Sequence, residues 1–166
     1  MMQVRFDEAL RILTRHEVDF IVVGGIAAIL QGFPLTTEDV DVVYLASEEN
    51  CRRLAAALDE MDASYADPAG RRVLPDAARL AAARVHLTNT SCGRVDLMRT
   101  IGDDLAYREL IGRTRELDVA ELRVRVLELE AIIETKEHAD RPKDRAQLPF
   151  LRQLLAEIRR QEGGVR

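Results

Sequence analysis

Apolar residues first recur at helical spacing: Phe6, Ala9, Leu10 and Leu13, separated by polar residues, predict a helix over residues 5–16. The apolar run Asp19-Phe-Ile-Val-Val23 then predicts a buried strand, which Gly24-Gly25 breaks. Residues 26–31 read as a short apolar helix closed by Gly32 and Pro34. Residues 40–45 predict a second strand, with Thr36 and Thr37 in the loop before it. Ser47 is placed to cap a long helix over 48–61. Residues 67–76, with Pro68, Gly70 and Pro75, have the composition of a loop. Residues 84–90 and 94–99 predict a hairpin turned at Ser91-Cys92-Gly93. A helix is expected over 103–111 and a further hairpin over 116–126. Residues 128–139 predict a helix that Arg141-Pro142 interrupts, and 143–160 a last one before a frayed tail, Gly163-Gly164-Val165-Arg166. There is no internal repeat and no low-complexity tract. Helices before and after a mixed sheet make the class α/β or α+β.

Composition narrows the picture. The 166 residues suffice for one core, and 47% hydrophobic with 32% charged residues describes a globular chain. No apolar run approaches the roughly 20 residues that span a bilayer. Residues 1–8 lack a basic segment followed by an apolar one, so a cytoplasmic protein that does not meet a membrane is expected. Cys51 and Cys92 are too few for a disulfide framework or a zinc site. A net charge of -5 argues against a broad surface that coats nucleic acid. Only two of the 24 basic residues, Lys136 and Lys143, are lysines, and they fall in one short segment.

The chemistry concentrates in Asp39-Val40-Asp41-Val42-Val43. Side chains alternate along a strand, so Asp39 and Asp41 share one face while Val40 and Val42 enter the core. Neighbouring carboxylates repel, and a raised pKa, a basic neighbour or a bound cation must offset that repulsion. Asp96, in Arg94-Val95-Asp96-Leu97-Met98, repeats the arrangement. If the two strands are adjacent, three hard oxygen donors converge and suit Mg²⁺ or Mn²⁺. Gly24-Gly25 would let backbone N–H groups approach a phosphate. Singly these features have bland readings: a simple turn, a solvated strand face, a capping carboxylate. Together, in order and at strand ends, they point to a site. The histidines add little: His16 suits a helix end, His86 a core or edge position, His138 the surface.

These residues resemble the nucleotidyltransferase superfamily, the polymerase-β-like fold. Its marks are Gly-Gly after a strand, Asp-hydrophobic-Asp on the next, and a third Asp on a later one. Here those are Gly24-Gly25, Asp39-Val40-Asp41 and Asp96. The chain is similar, more narrowly, to a bacterial branch that includes abortive-infection-type toxins. The stretches that carry this are Gly32-Phe-Pro-Leu-Thr36-Thr37-Glu38-Asp39 and Lys136 followed by Arg141-Pro142-Lys143-Asp144. The similarity runs over residues 6–155 and departs at Leu35, where Arg is common.

The resemblance implies a nucleotidyltransferase-like mixed sheet flanked by helices, with a core over 1–126 and a C-terminal helical segment over 127–166. It implies an enzyme that moves a nucleoside monophosphate from a nucleoside triphosphate such as ATP to an acceptor hydroxyl. Asp39, Asp41 and Asp96 would be its catalytic residues and its ligands for Mg²⁺ or Mn²⁺. Gly24, Gly25, Thr37, Lys136, Arg141, Lys143 and Asp144 would hold the nucleotide. The acceptor would be tRNA, a protein or a small molecule of the antibiotic kind, with an antitoxin partner in the toxin case. Leu35 keeps alive a module of the same fold that binds nucleotide, or a partner protein, without transfer.

Overall fold

The structure, a computed structural model, describes residues 5–164. The start of the leader reading, residues 1–4, and the end of the tail, Val165 and Arg166, lie outside the described residues. The chain opens with α1 (Phe6–Arg15), whose Ala9, Leu10, Ile12 and Leu13 are buried as the spacing requires. β1 (Phe20–Val23) follows, buried at every residue, and runs directly into α2 (Gly24–Leu30). β2 (Asp39–Tyr44) precedes α3 (Glu48–Glu60), which Ser47 caps by accepting from the Asn50 N–H at 3.1 Å. Asn50, itself buried, accepts from the Asp19 N–H at 2.7 Å and donates to Leu45 O at 2.7 Å, tying the ends of β1 and β2 together.

Two short elements, β3 (Ser64–Tyr65) and α4 (Ala77–Ala82), flank the expected loop and are too brief for periodicity to disclose. Asp76 caps α4 by accepting from the Arg79 N–H at 2.8 Å. The hairpin is β4 (Val85–Thr90) with β5 (Gly93–Met98). Of the helix expected over 103–111, only its second half forms. In place of the first half, β6 (Thr100–Ile101) pairs with β7 (Leu105–Ala106), and α5 (Tyr107–Leu110) is a single turn. Gly102 and Asp104 take left-handed backbone (φ 56° each), which turns the chain back on itself where a helix would have run on. β8 (Thr114–Val119) and β9 (Leu122–Leu127) form the further hairpin. α6 (Leu129–Ala139) ends at Asp140 in left-handed conformation, and α7 (Pro142–Gly164) starts on Pro142, where a missing N–H costs nothing. α7 continues through Gly164, so Gly163 and Gly164 are helical rather than frayed.

Among the described residues, seven strands form one mixed sheet in the order β3-β4-β5-β2-β1-β9-β8. β1 lies antiparallel to β2 and parallel to β9, and β2 lies parallel to β5. The register draws one row across four strands: Val23 beside Asp41, Asp41 beside Asp96, Asp96 beside Leu87. Side chains in such a row share a face. Val40, Val42 and Val95 turn to the opposite face and are fully buried. The C-terminal helices belong to the same core, since Leu129, Ile132, Leu148 and Leu151 are buried within it.

Candidate active site

A cavity of ≈ 700 Å³ opens over that row. Its wall collects Gly24 and Gly25, Thr37, Asp39, Asp41, Asp96, Lys136, Arg141 and Lys143, residues drawn from most of the chain. Gly24 has a backbone φ of 67°, and a Cβ there would collide with Asp41 Oδ2, so this turn tolerates glycine alone. A Cβ on Gly25 would only touch Thr37, 3.4 Å away. The Thr37 hydroxyl lies 3.4 Å from the Asp39 N–H, at the entry to β2. Leu35 lies in the same wall, against Gly25.

The carboxylates are electrostatically unsettled. Burial first, and then the charges of Asp96 and Asp39, push the Asp41 carboxyl up to about 6, against the pull of Arg94 and Lys143. Burial also raises Asp96, although the Arg94 guanidinium works the other way. Arg94 donates from Nε to Asp96 Oδ1 at 3.1 Å and lies 3.7 Å from Asp39. It is a resident cation lying across two of the three carboxylates. Among the described residues no three His, Cys, Asp or Glu side chains form a ready metal cage. Mg²⁺ rarely uses one: it takes one or two carboxylates and completes its octahedron with substrate phosphates and water. Carboxylates already bridged by a guanidinium, one of them too basic for its surroundings, are a donor set that fits such an ion.

The opposite wall is settled. Asp144 is fully buried and accepts from Arg141 Nε at 2.6 Å and from Lys136 Nζ at 3.3 Å. Burial works against its charge, but the bonds from Arg141 and Lys136 win and hold its carboxyl below the ordinary value. Asp144 lies in the first turn of α7 and Lys136 in the last turn of α6, so the pair locks the two helices across the Arg141-Pro142 elbow. Lys143 is exposed and shows no ion pair among the described residues. It lines the cavity and acts on Asp41 through space.

The histidines stay outside this arrangement. His86 is buried against the Tyr65 hydroxyl at 2.8 Å, His16 meets Glu60 at 2.6 Å, and His138 is exposed. Cys51 and Cys92 are buried free thiols. The sequence reading missed Arg94 as a member of the site. The signal was present, because Arg94 and Asp96 are two apart on a strand and must share a face. It also missed Gln147 of α7, which lines the cavity one turn beyond Lys143.

Three solved structures share this architecture. The lincosamide antibiotic adenylyltransferase LnuA, lincomycin-bound, matches with a TM-score of 0.62 at 12% identity, over 90% of this chain and 96% of its own. The antibiotic-resistance factor ANT(2'')-Ia matches with 0.57 at 14%, over 96% and 92%. Its complex with adenylyl-2''-tobramycin gives 0.55 at 16%, over 95% and 96%. The chain has the nucleotidyltransferase fold. No family profile and no curated protein sequence matches the chain. The likeness is therefore one of nucleotidyltransferase architecture, carried by the sheet and the helices around the cavity.

Proposed function

We propose that the protein transfers a nucleoside monophosphate from a nucleoside triphosphate to an acceptor hydroxyl. The observation that carries this is the row itself: Gly24 packed on Asp41 and Asp41 in register with Asp96, on the floor of a cavity whose far wall bears Lys136, Arg141 and Lys143. Asp39 and Asp41 are the residues to hold Mg²⁺ or Mn²⁺, which when bound would neutralise phosphate charge and polarise the phosphorus. The backbone N–H groups of Gly24 and Gly25, with Thr37, face the phosphates. Lys136 and Lys143 neutralise charge on the leaving side, and Asp144 holds Lys136 and Arg141 in place. Asp96, whose carboxyl is raised, accepts the acceptor's hydroxyl proton. The freed oxygen then bonds to the α-phosphorus as the bond from that phosphorus to the β-phosphate oxygen breaks, and pyrophosphate leaves.

Two of the structural neighbours, the lincosamide antibiotic adenylyltransferase LnuA and the antibiotic-resistance factor ANT(2'')-Ia, act on antibiotics, which favours a small-molecule acceptor over tRNA or a protein, and over the toxin role with its antitoxin. Leu35, set against Gly25 in the phosphate wall, favours a second reading: binding without turnover. One experiment separates them. The protein is given each α-labelled nucleoside triphosphate with Mg²⁺ or Mn²⁺ and mixed acceptors (total tRNA, protein extract, lincosamides, aminoglycosides), beside Asp41→Asn. Label should move to an acceptor and fall by roughly a thousandfold in the variant, a loss of about 4 kcal/mol of transition-state stabilisation. Metal-dependent nucleotide binding with no transfer would instead support the binding module. Near-normal transfer by Asp41→Asn would sink the mechanism.

A further inference from the structure

Two of the large apolar side chains that remain exposed, Val85 (47%) and Leu87 (42%), lie in the wall of this cavity. Both belong to the outward face of β4, whose residues alternate exposed and buried. The register sets Leu87 directly beside Asp96 and Val85 beside Met98, so the three form one apolar shelf next to the proposed base. Two soluble aliphatic side chains left open at the edge of a carboxylate site need a reason, since burial elsewhere would stabilise the fold.

In-line displacement supplies that reason. The entering and leaving oxygens lie on opposite sides of phosphorus. Across the sheet the strands run β4, β5, β2, β1, and α2 follows β1. α6 packs on α2 and α7 on α6, which sets the phosphate cations towards the β1 side. The carboxylates of β2 and β5 come next, and the shelf lies beyond them on β4. An acceptor hydroxyl entering opposite the departing pyrophosphate therefore crosses the shelf. The cations on this side are already engaged. Arg84 pairs with Asp104 at 2.9 Å and bonds Thr100 at 2.7 Å, and Arg94 is bound to Asp96.

We propose that Val85, Leu87 and Met98 form the acceptor subsite, and that it takes an uncharged, hydroxyl-bearing small molecule through a flat apolar face. The proposal rests on the nucleotidyl-transfer reading and names its substrate class. Among the described residues lining the cavity, the only carboxylates a polycation would find are the three that the reaction itself uses. A nucleic acid would find on the β4 side, among the described residues lining the cavity, only Arg84 and Arg94, each already paired.

The test uses the whole protein with Mg²⁺ and the α,β-methylene analogue of whichever nucleoside triphosphate binds most tightly. Phenyl β-D-glucoside and methyl β-D-glucoside are titrated in, with the methyl NMR signals of Val85, Leu87 and Met98 as the readout. Phenyl glucoside should shift those signals and bind about tenfold tighter than methyl glucoside. Leu87→Asn and Val85→Thr, at exposed positions where folding is retained, should each weaken it by roughly fivefold while nucleotide affinity stays within about twofold. Kanamycin or a short single-stranded RNA moving these signals at lower concentration would overturn the assignment. So would phenyl glucoside that binds no better than methyl glucoside or leaves the signals unmoved. If no nucleotide analogue binds at all, the transfer reading falls first and takes this inference with it.

Discussion

Asp41 lines the cavity and Asp144 lies buried behind the opposite wall, bonded to Lys136 and Arg141; both are in surroundings that penalise a charge, and their acidities move in opposite directions. Asp144 is out of solvent altogether, yet its carboxyl is held below the ordinary value, because Arg141 and Lys136 both bond it. Asp41 is pushed up to about 6, because burial and two neighbouring carboxylates outweigh Arg94 and Lys143. Burial is common to the two, so burial does not distinguish them. The local balance of charge does. One carboxylate shared by two cations is a closed account, suited to holding two helices together. Three carboxylates around one guanidinium leave an excess of negative charge, and that imbalance is what the proposed metal-binding role of Asp39 and Asp41 would use.

The sharpest way to break the comparison is to remove the settled carboxylate. Asp144→Ala leaves Lys136, only 11% exposed, without its partner. Losing one member of a buried pair costs about 3 kcal/mol or more, which lowers the melting temperature by roughly 6–12 °C in a chain of this size. Replacing both partners with apolar residues, Asp144→Leu with Lys136→Met, should recover most of that loss, since no buried charge is then left unpaired. Thermal melts of the two variants decide the matter. An unchanged melting temperature in Asp144→Ala would mean that the pair locks nothing.

Much of this contrast was legible in the chain before the structure. Asp39, Asp41 and Asp96 could be placed on one face because period-two alternation fixes direction without knowledge of partners. The adjacency of β2 and β5 was only conditional, since strands far apart in sequence pair through topology, not local pattern. Asp144 was legible as a charge but not as a buried one. Nothing in Arg141-Pro142-Lys143-Asp144 says that α7 folds back to bring it within reach of Lys136. The shortened helix over 103–111 has the same origin at short range. Its apolar spacing was adequate, but Gly102 and Asp104 adopt left-handed backbone, and only Gly102 announces that possibility by type. β4 shows the limit from the other side. Its alternation was readable, but whether Val85 and Leu87 faced the core or the cavity depended on which side the helices covered.

The unsettled carboxylate has a pH signature that the settled one inverts. Asp41 binds its proton more tightly folded, at about 6, than unfolded, near the ordinary 3.8. Its favourable contribution is therefore fully present below about pH 4 and is lost as pH rises through 6, by about 2–3 kcal/mol. Asp144 runs the other way. Its contribution is present above the ordinary carboxylate range and is lost as pH falls through its lowered value. In metal-free melts from pH 4 to pH 7, Asp41→Asn should match the wild type at the acid end and become the more stable protein at the neutral end. Added Mg²⁺ should close the gap by stabilising the wild type alone. A gap that stays flat with pH would show that Asp41 is as well balanced as Asp144.

The smallest effect probes what holds Asp41 in its place. Gly24 and Gly25 are neighbours in sequence but not equivalent: only Gly24 has a left-handed φ and would drive a Cβ into the Asp41 carboxylate, while a Cβ on Gly25 meets Thr37 at ordinary contact distance. Gly24→Ala should therefore cost about 1–2 kcal/mol from backbone strain alone, with a further loss from displacing Asp41. Gly25→Ala should change stability by less than about 0.5 kcal/mol, since its conformation is open to any residue. Denaturant unfolding measures both. The Gly24 variant should also flatten the pH dependence just described, because a displaced Asp41 returns towards water and towards its ordinary acidity. Equal costs for the two alanines would mean that the turn is indifferent to Asp41. The row from Gly24 to Asp96 would then be an accident of packing rather than a built cradle.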